Sequence, residues 1–326
     1  MGVIVGSGEY TYRVHENWAK LPEGFAFGDV AAVGIDGKDR VYAFNRSKEH
    51  PMMVFDRDGN FLSSWGQDLF AHAHGVSMGP DDTIYCTDDM NHTVCKCTLD
   101  GKLLLRIGDR DKPQPFMSGR PFNRCTHTAL SPKGEIYVTD GYSNARVHKY
   151  APDGKHLLSW GQSGMGPGEF NLPHNVTCDD DGWVYVADRE NHRIQVFDGN
   201  GKYETEWRNI HRPNGLFMPR GKCPVCYVGE IGPYWSFNRG APNLGPRVSI
   251  LDNKGAILAR LGEDPTAGHE PGKFLSPHSI AVDSRGDIYV GEVAVTGWPS
   301  LFPGQPQPNP IRSLQKFERV PAGTTA

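Results

Sequence analysis

A repeated unit runs along almost the whole of this chain, and it restricts the fold more than any other feature. Each copy contains a short apolar strand, a second strand that ends in an acidic residue, and a third that leads to a tight turn at a glycine. The turn glycines follow one another at intervals of 42, 53, 47 and 54 residues: Gly59, Gly101, Gly154, Gly201 and Gly255. Glycine supplies the positive φ that a tight hairpin needs. The spacing predicts four-stranded blades of an all-β propeller, in which each blade is buried against its neighbours.

The number of copies predicts six blades. The units begin near Gly28, Ala73, Thr126, Pro173, Pro213 and Pro277. The sixth unit lacks its last turn and strand, whereas residues 9–15 alternate in the manner of a strand and belong to no unit. We therefore expect this N-terminal segment to be the outer strand of blade six, which closes the ring and removes an exposed sheet edge. Residues 1–326 are predicted to form this single propeller domain, with a flexible tail at about 320–326.

Composition narrows the classes of function. The 39 glycines and 25 prolines suit a chain of many short strands and turns, and no long stretch has helical periodicity. A net charge of −4 provides no basic surface for nucleic acid, and no segment is long and apolar enough to span a membrane. The N-terminus lacks the charged start and apolar core of a signal peptide. We expect a cytoplasmic protein whose partner is a small-molecule substrate rather than nucleic acid or a membrane.

Four histidines stand at the same place in four of the units: His74, His127, His174 and His278. Units arranged around an axis bring equivalent positions to a common centre, so these imidazoles predict a metal site. Three of them fall in alternate blades, two, four and six, and three imidazoles with an open fourth position are typical of a catalytic zinc centre. His74, His174 and His278 are therefore the predicted ligands of Zn²⁺ or another divalent transition metal. The alternative is that histidine is the consensus residue of the repeat and lines a wet channel.

Two other residues at this position are expected to lie around the metal or at the substrate. His127, in blade three, breaks the alternation of the three ligands. Asn214 occupies the matching place in blade five. Both are predicted to support the ligands or to contact substrate.

Two enlarged loops lie on the same rim of the predicted ring as the histidines. They span residues 231–245 in blade five and 296–309 in blade six, and they contain Trp235 and Trp298 among several prolines. Long loops of this composition predict the walls of a binding pocket that selects the substrate. Alternatively, they only cover the adjacent blades.

The seven cysteines indicate no complete disulfide framework, because their number is odd. Cys223-Pro-Val-Cys226 has the spacing of a redox or zinc motif, but no second pair accompanies it. Its place in blade five matches the apolar strand of the other units. We therefore interpret it as part of that strand.

Three segments resemble the catalytic core of peptidyl-α-hydroxyglycine α-amidating lyase: Val138-Thr-Asp-Gly-Tyr-Ser-Asn-Ala-Arg146, Phe170-Asn-Leu-Pro-His174 and Val186-Ala-Asp-Arg-Glu-Asn-His-Arg-Ile-Gln195. That family consists of six-bladed propellers of NHL-type repeats, and the similarity extends over nearly the whole ring. The resemblance implies a zinc ion held by the three spaced histidines. It also implies a catalytic base at Tyr142 and arginines at the substrate, which match Arg189 and Arg46.

The family's reaction splits a carbinolamide, N–C(OH)–COO⁻, into an amide and glyoxylate. Zinc can hold the hydroxyl or the carboxylate, a base removes the hydroxyl proton, and arginine neutralises the carboxylate. A tyrosine has an ordinary pKa of about 10, so it needs nearby cations to act as a base at neutral pH. Tyr142 could instead be an aromatic residue at the end of a strand, and Arg189 a solvated arginine of the repeat.

Several positions depart from that family. Ser143 follows the tyrosine where the animal enzymes have a disulfide, which leaves Cys125 without that partner and fits a reducing compartment. Ser279 stands where the family has an acidic residue tied to a structural calcium, so the resemblance does not extend to Ca²⁺. Ser276 stands in place of a methionine two residues before the third histidine. The fold and the metal transfer from the family, but the peptide substrate does not.

Three classes of function stay open. The favoured class is a zinc-dependent lyase that acts on a carbinolamide or a related small hydroxylated compound. The second is a metal-dependent hydrolase or lactonase that uses the metal to activate water. The third is a non-catalytic NHL propeller that binds a protein or ligand, for which convergent histidines have no evident purpose. Lyase and hydrolase differ in whether Tyr142 or water supplies the base.

Overall fold

Six antiparallel sheets contain nearly all the regular structure of this computed structural model, which describes residues 2–221, 225–262 and 267–321. The N-terminal segment forms strands β1 (Ile4–Ser7) and β2 (Tyr10–His15). Blade one follows with β3 (Val30–Ile35), β4 (Val41–Asn45), β5 (Met52–Phe55) and β6 (Phe61–Trp65). Blade two comprises β7 (Ala73–Gly79), β8 (Thr83–Asp88), β9 (Thr93–Thr98) and β10 (Leu103–Ile107). Blade three comprises β11 (His127–Leu130), β12 (Ile136–Asp140), β13 (Arg146–Tyr150) and β14 (His156–Trp160).

The second half of the ring has the same plan. Blade four comprises β15 (Pro173–Cys178), β16 (Val184–Asp188), β17 (Arg193–Phe197) and β18 (Tyr203–Trp207), with a 3₁₀ turn at Arg189–Asn191. Blade five comprises β19 (Pro213–Phe217), β20 (Cys226–Glu230), β21 (Arg247–Leu251) and β22 (Ile257–Leu261). Blade six contributes β23 (Pro277–Val282), β24 (Ile288–Glu292), helix α1 (Ala294–Leu301) and β25 (Leu314–Arg319).

The sheets are arranged as the blades of a closed ring. In each blade the strands follow one another from the centre outwards. The inner strands, which are β3, β7, β11, β15, β19 and β23, each contact the inner strands of both neighbouring blades. The predicted six-bladed β-propeller is confirmed.

The N-terminal strand closes the ring, as predicted. Strand β2 pairs with β25 in antiparallel register, with Tyr12 opposite Arg319 and Val14 opposite Phe317. Strand β1 then pairs with β2, so blade six has five strands rather than the expected four. The predicted flexible tail begins with Val320, which is buried and donates its backbone N–H to the carbonyl of Thr11, whereas residues 322–326 lie outside the described part of the chain.

The core of the protein is divided among the six interfaces between blades. One cluster of buried apolar side chains occupies each interface, because every blade presents both of its faces to a neighbour. Between blades one and two, for example, Phe44 and Met52 pack against Ile84 and Cys86. The outer strands are half-exposed, as Phe61–Trp65 illustrates. The repeat therefore stabilises the ring as a whole rather than any single blade.

The glycines of the hairpin turns have the conformation that the sequence predicted. Their φ values lie between 81° and 93° at all five positions. At Gly255 a side chain is also excluded by the neighbouring blade, since an ideal Cβ would lie 2.4 Å from Cγ of Trp207. The turns thus fix both the hairpins and the contact between successive blades.

The enlarged loop of blade six differs from the expected irregular segment. Its first part is helix α1, which contains Pro299 in its last turn. Trp298 and Leu301 of this helix pack with Leu275 and Ile311 in a separate small apolar cluster. This local core supports the helix at the rim of the ring. In the described residues no helix is long and apolar enough to cross a membrane.

The cysteines of the described ranges are free thiols, and most are buried. Cys226 begins strand β20, in agreement with its interpretation as a strand residue. Cys223, the other cysteine of that motif, lies outside the described residues. Cys125 is buried in the interface between blades two and three.

Candidate metal centre

A β-bulge fixes one residue near the start of most inner strands. In blade two, Ala73 pairs with Asp88 and Gly75 pairs with Thr87, so that His74 between them has no partner in the ladder. The same irregularity holds His174 in blade four, His278 in blade six, Asn214 in blade five and Ala31 in blade one. A bulge redirects the side chain of the extra residue. At each of these positions the side chain therefore departs from the regular in-and-out alternation of the strand.

The three histidines that the sequence predicted as ligands lie together at the centre of the ring. His74, His174 and His278 are buried, and their ligand atoms all lie within 4.8 Å of one another. The centroids of the three rings are 4.8 to 4.9 Å apart. Within the described ranges this is the one group of three or more His, Cys, Asp or Glu residues that could hold a metal ion.

Hydrogen bonds from the other ring nitrogen orient each imidazole. The Nδ1 atoms of His74, His174 and His278 lie 2.6, 2.9 and 2.6 Å from backbone carbonyl oxygens. A carbonyl can only accept, so each Nδ1 carries the proton and each Nε2 retains its lone pair. Burial lowers the pKa of all three rings, to about 3 for His74. Neutral imidazoles with Nε2 available are the donors that a divalent transition metal requires, so the residues fit such an ion.

The carbonyls that accept these hydrogen bonds reveal a threefold pattern in the ring. They belong to Thr126, Asn214 and Ala31, in blades three, five and one. Asn214 and Ala31 occupy the bulge position of their own blades. Blades two, four and six therefore each contribute an imidazole. Blades one, three and five each contribute the backbone carbonyl that orients the imidazole of a neighbouring blade.

The predicted equivalence of four histidines is wrong by one residue in blade three. His127 pairs with Thr139, as Gly75 pairs with Thr87 in blade two, so Thr126 is the counterpart of His74. Strand β11 begins without the bulge of the other blades, and no sequence signal distinguishes the adjacent threonine and histidine. His127 is buried, and its Nδ1 has no hydrogen-bond partner among the described residues. It lines a cavity of about 200 Å³ further along the central channel.

Tyr142 lies directly beside the histidines. Its hydroxyl is 3.1 Å from Nε2 of His74 and 3.2 Å from Nε2 of His174. The guanidinium carbons of Arg124 and Arg189 lie 4.5 and 5.7 Å from the centroid of its ring. The phenolic oxygen thus lies within hydrogen-bond distance of two candidate ligand atoms, and two cations lie close to the ring.

Arg189 and Asn214 come together, as the sequence predicted for two residues of one site. Arg189 lies in the 3₁₀ turn after β16, and its Nη1 donates to Oδ1 of Asn214 at 3.3 Å. Its Nε donates to Glu190 at 2.8 Å. The Nδ2 of Asn214 is buried and has no partner among the described residues. That amide group can therefore donate to a ligand bound beside the histidines.

Arg46 reaches the same centre from blade one. Its Nε donates to the carbonyl of Ala73, next to the first histidine, at 3.3 Å. Its Nη1 donates to Asp29 at 3.0 Å and to Oγ1 of Thr296 at 3.2 Å. The Asp29 carboxylate also accepts the backbone N–H groups of Val295 and Thr296 at the start of helix α1. The helix in the blade six loop therefore helps to position Arg46.

Sequence reasoning missed two further arginines of the site. Arg124 donates to Asp89 from Nε at 3.1 Å, and Arg212 donates to Glu190 at 3.1 and 2.8 Å. Burial alone would raise the pKa of Glu190, but Arg212 and Arg189 lower it to about 2. Arg212 stands two residues before the bulge residue Asn214, and Arg124 stands two residues before Thr126, the counterpart of His74 in blade three. A comparison of the repeat copies at that offset could have found them.

The acidic residues that end the second strands have a structural role. The Asp88 carboxylate accepts two backbone N–H groups, at 2.6 and 3.0 Å, from the segment that leads into His74. Glu292 accepts two at the same distances from the segment that leads into His278. These buried carboxylates hold the backbone in front of His74 and His278 and so contribute to the positions of the two imidazoles.

The two tryptophans of the enlarged loops lie in different environments. Trp298 is 8% exposed and belongs to the small core beneath helix α1, where its Nε1 donates to the carbonyl of Gln305. Trp235 is 70% exposed and stacks on Phe237. The residue before Trp235, Tyr234, lies under Arg212, with 5.1 Å from the guanidinium carbon to the centroid of the tyrosine ring.

The Ser279 hydroxyl, at the position linked to calcium in the lyase family, is used within the fold. It accepts the backbone N–H of Val33 at 3.1 Å, across the interface between blades six and one. Ser279 is buried. The residue therefore supports ring closure.

Comparisons with known proteins agree with this architecture. A model of the NHL repeat matches residues 170–197, in blade four. The NHL repeat-containing protein 3 of Homo sapiens is 34% identical over 299 residues, which cover 86% of this chain and 81% of that protein. The peptidyl-alpha-hydroxyglycine alpha-amidating lyase 1 of Drosophila melanogaster is 31% identical over 253 residues, or 72% of this chain and 45% of that protein. A streptogramin B lyase structure shares the fold, with a TM-score of 0.58 at 16% identity over 96% of this chain and 89% of that one.

These matches define the class of the protein as an NHL-repeat β-propeller with a buried centre of three histidines. The chain belongs to the family of NHL repeat-containing protein 3, and it is also similar to the peptidyl-alpha-hydroxyglycine alpha-amidating lyases.

Proposed function

We propose that this protein is a zinc-dependent lyase that splits a small carbinolamide, N–C(OH)–COO⁻, into an amide and glyoxylate. The observation that carries the proposal is the position of Tyr142, whose hydroxyl lies 3.1 and 3.2 Å from Nε2 of two of the three histidines. A phenol held there, with two guanidiniums close to its ring, is suited to remove a proton from a group bound at the centre. The amidating lyases among the relatives support the same class of reaction.

His74, His174 and His278 would hold the metal ion. Their Nε2 atoms converge, and their Nδ1 atoms are already committed to backbone carbonyls. When bound, zinc would supply a Lewis acid that polarises the hydroxyl or carboxylate of the substrate. Three protein ligands leave a coordination position for that group.

Tyr142 would act as the base in this reaction. It takes the proton of the carbinol hydroxyl, the C–N bond breaks as the C=O bond of glyoxylate forms, and Tyr142 returns that proton to the leaving amide nitrogen. The guanidinium carbons of Arg124 and Arg189 lie 4.5 and 5.7 Å from the centroid of the Tyr142 ring, so two positive charges stand beside the proposed base.

The charge of the site suits an anionic substrate. Arg46, Arg124, Arg189 and Arg212 are paired with three carboxylates, so four guanidiniums and three acids leave one net positive charge beside neutral imidazoles. Arg46 donates to the backbone carbonyl next to His74 and Arg189 donates to Asn214, so either arginine can neutralise a substrate carboxylate. The buried Nδ2 of Asn214 offers a further hydrogen bond.

Release of glyoxylate tests the proposal. Purified protein loaded with zinc is incubated with N-benzoyl-α-hydroxyglycine, and glyoxylate and benzamide are measured together. We expect equal amounts of the two products, loss of activity after chelation, and recovery when zinc is restored. A simple lactone is assayed in parallel, and hydrolysis of the lactone without release of glyoxylate would favour the hydrolase class instead.

A further inference from the structure

The set of an acid, an arginine and a tyrosine beside the histidines occurs twice in the ring. In the first set Asp89 binds Arg124, and Arg124 covers the ring of Tyr142. The backbone N–H of Arg124 donates to Nδ1 of His92 at 3.1 Å. The residue has a φ of 64°, in the left-handed region, and lies two positions before Thr126.

The second set has the same construction in the next pair of blades. Glu190 binds Arg212, and Arg212 covers the ring of Tyr234 with 5.1 Å from the guanidinium carbon to the centroid. The backbone N–H of Arg212 donates to Nδ1 of His192 at 3.2 Å. Arg212 has a φ of 49° and lies two positions before Asn214. Tyr234 is therefore the counterpart of Tyr142, two blades further round the six-bladed ring.

The hydroxyls of the two tyrosines have different partners. That of Tyr142 meets Nε2 of His74 and His174. That of Tyr234 forms a hydrogen bond of 2.8 Å with Oγ of Ser276, which is fully buried and lies two residues before His278. The second hydroxyl therefore joins a partner on the segment that carries the third histidine, rather than the histidines themselves.

Helix α1 passes close to the side chains of Tyr234 and Ser276. An ideal Cβ on Gly297 would lie 3.3 Å from the Tyr234 hydroxyl and 3.5 Å from Cβ of Ser276, so glycine lets the helix pass close to both. Arg212 cannot bind a ligand freely there, because it already donates to Glu190 and to the carbonyl of Gly232. Its role is to hold the aromatic ring of Tyr234 in place.

We propose that the hydroxyls of Tyr234 and Ser276 form a subsite for the amide part of the substrate, beside the segment that leads into His278. This inference rests on the proposed lyase function and identifies the part of the substrate that the second tyrosine recognises. Each hydroxyl can donate and accept, so their mutual hydrogen bond leaves one O–H and several lone pairs for a ligand. A secondary amide offers one acceptor and one donor, which these groups match, whereas an anion would favour the arginines.

Two variants test the subsite: Tyr234→Phe and Ser276→Ala. We expect each to raise KM for N-benzoyl-α-hydroxyglycine about tenfold, with kcat changed by less than about threefold and metal content unchanged. The double variant should resemble either single variant, because the two hydroxyls act as a unit. Tyr203→Phe, in the outer strand of blade four, is the matched control and should leave KM unchanged.

Binding of the amide product separates this inference from the lyase proposal. Benzamide should raise the melting temperature of wild-type zinc-loaded protein and should have a much smaller effect on both variants, whether or not glyoxylate is released. If benzamide does not stabilise the wild type, or if it stabilises Tyr234→Phe equally, the subsite is wrong. A fall in melting temperature of both variants with unchanged KM would show instead that the pair only ties the blade five loop to blade six.

Discussion

The two ends of the central channel are formed by the same inner strands, yet they have different chemistry. At one end the strands begin with the three histidines, surrounded by paired arginines and tyrosines. Further along, the channel is lined mainly by apolar side chains such as Met78, Phe217 and Val282, around a cavity of about 200 Å³. The difference follows from strand direction, because the bulges and the long loops all lie where the inner strands begin. The opposite rim carries the tight glycine turns, which have no room for functional side chains.

If catalysis takes place only at the histidine end of the channel, Tyr142→Phe should have the largest effect on activity. The variant loses the hydroxyl that lies beside two histidines but keeps the aromatic ring that Arg124 and Arg189 contact. We expect kcat for glyoxylate release to fall by about 10²–10⁴-fold, with zinc still bound. Steady-state kinetics and elemental analysis of the same preparation measure both quantities.

A second tyrosine of blade three is the control. The Tyr137 hydroxyl donates to the carbonyl of Gly199, in a hairpin turn of the next blade, at 3.0 Å. Tyr137→Phe should keep kcat close to that of the wild type. Turnover like that of the wild type in Tyr142→Phe would assign the base role to another group and favour the hydrolase class.

The next prediction compares the two loop tryptophans. Trp298 is buried in the core of the blade six loop, so Trp298→Ala should lower the free energy of unfolding by roughly 3 kcal/mol. It should also raise KM, because the start of the same helix holds Asp29 against Arg46. Trp235→Ala, at an exposed position, should change stability by less than about 0.5 kcal/mol. Thermal unfolding of both variants tests this, and equal stabilities would contradict the burial of Trp298.

A smaller effect is expected from Glu190→Gln. The pKa of Glu190 is about 2 in the folded protein and 4.5 in its ordinary state. The ion pairs with Arg189 and Arg212 therefore stabilise the fold fully above about pH 4.5 and lose this contribution as the pH falls towards 2. The variant should be less stable by roughly 1–2 kcal/mol at pH 7, since the carboxylate is partly exposed, and should lose less stability on acidification.

Unfolding by denaturant from pH 3 to pH 7 measures that difference. Glu204→Gln, at an exposed position in the outer strand of blade four, is the matched control and should follow the wild type. Parallel stability curves for Glu190→Gln and the wild type over this range would show that the ion pairs contribute nothing.

Much of the fold could be predicted because the repeat reports it directly. The turn glycines marked each hairpin, and residues 9–15 had no place except at the edge of blade six. The convergence of His74, His174 and His278 followed from their register in alternate blades. His127 was misplaced by one residue, because a β-bulge depends on the pairing of two strands and leaves no mark in the sequence.

The rest of the site depends on contacts between distant segments. Arg124 and Arg212 are held in position by ion pairs with acidic residues of the preceding blade. The sequence around each arginine does not indicate which acidic residue is its partner. Helix α1 is short and contains a proline, so local propensity favoured a loop; packing of Trp298 and Leu301 onto Leu275 supports the helix. Tertiary contacts, rather than local pattern, decided these features.

The most direct test of the account is the metal content of wild-type protein, His174→Ala and His127→Ala after expression in zinc-replete medium. The two histidines lie in neighbouring blades and are both buried, but only His174 belongs to the group whose ligand atoms converge. Elemental analysis should find about one equivalent of zinc in the wild type and in His127→Ala, and less than about a tenth of an equivalent in His174→Ala. Less than about half an equivalent of any transition metal in the wild type, or full occupancy in His174→Ala, would contradict the three-histidine centre.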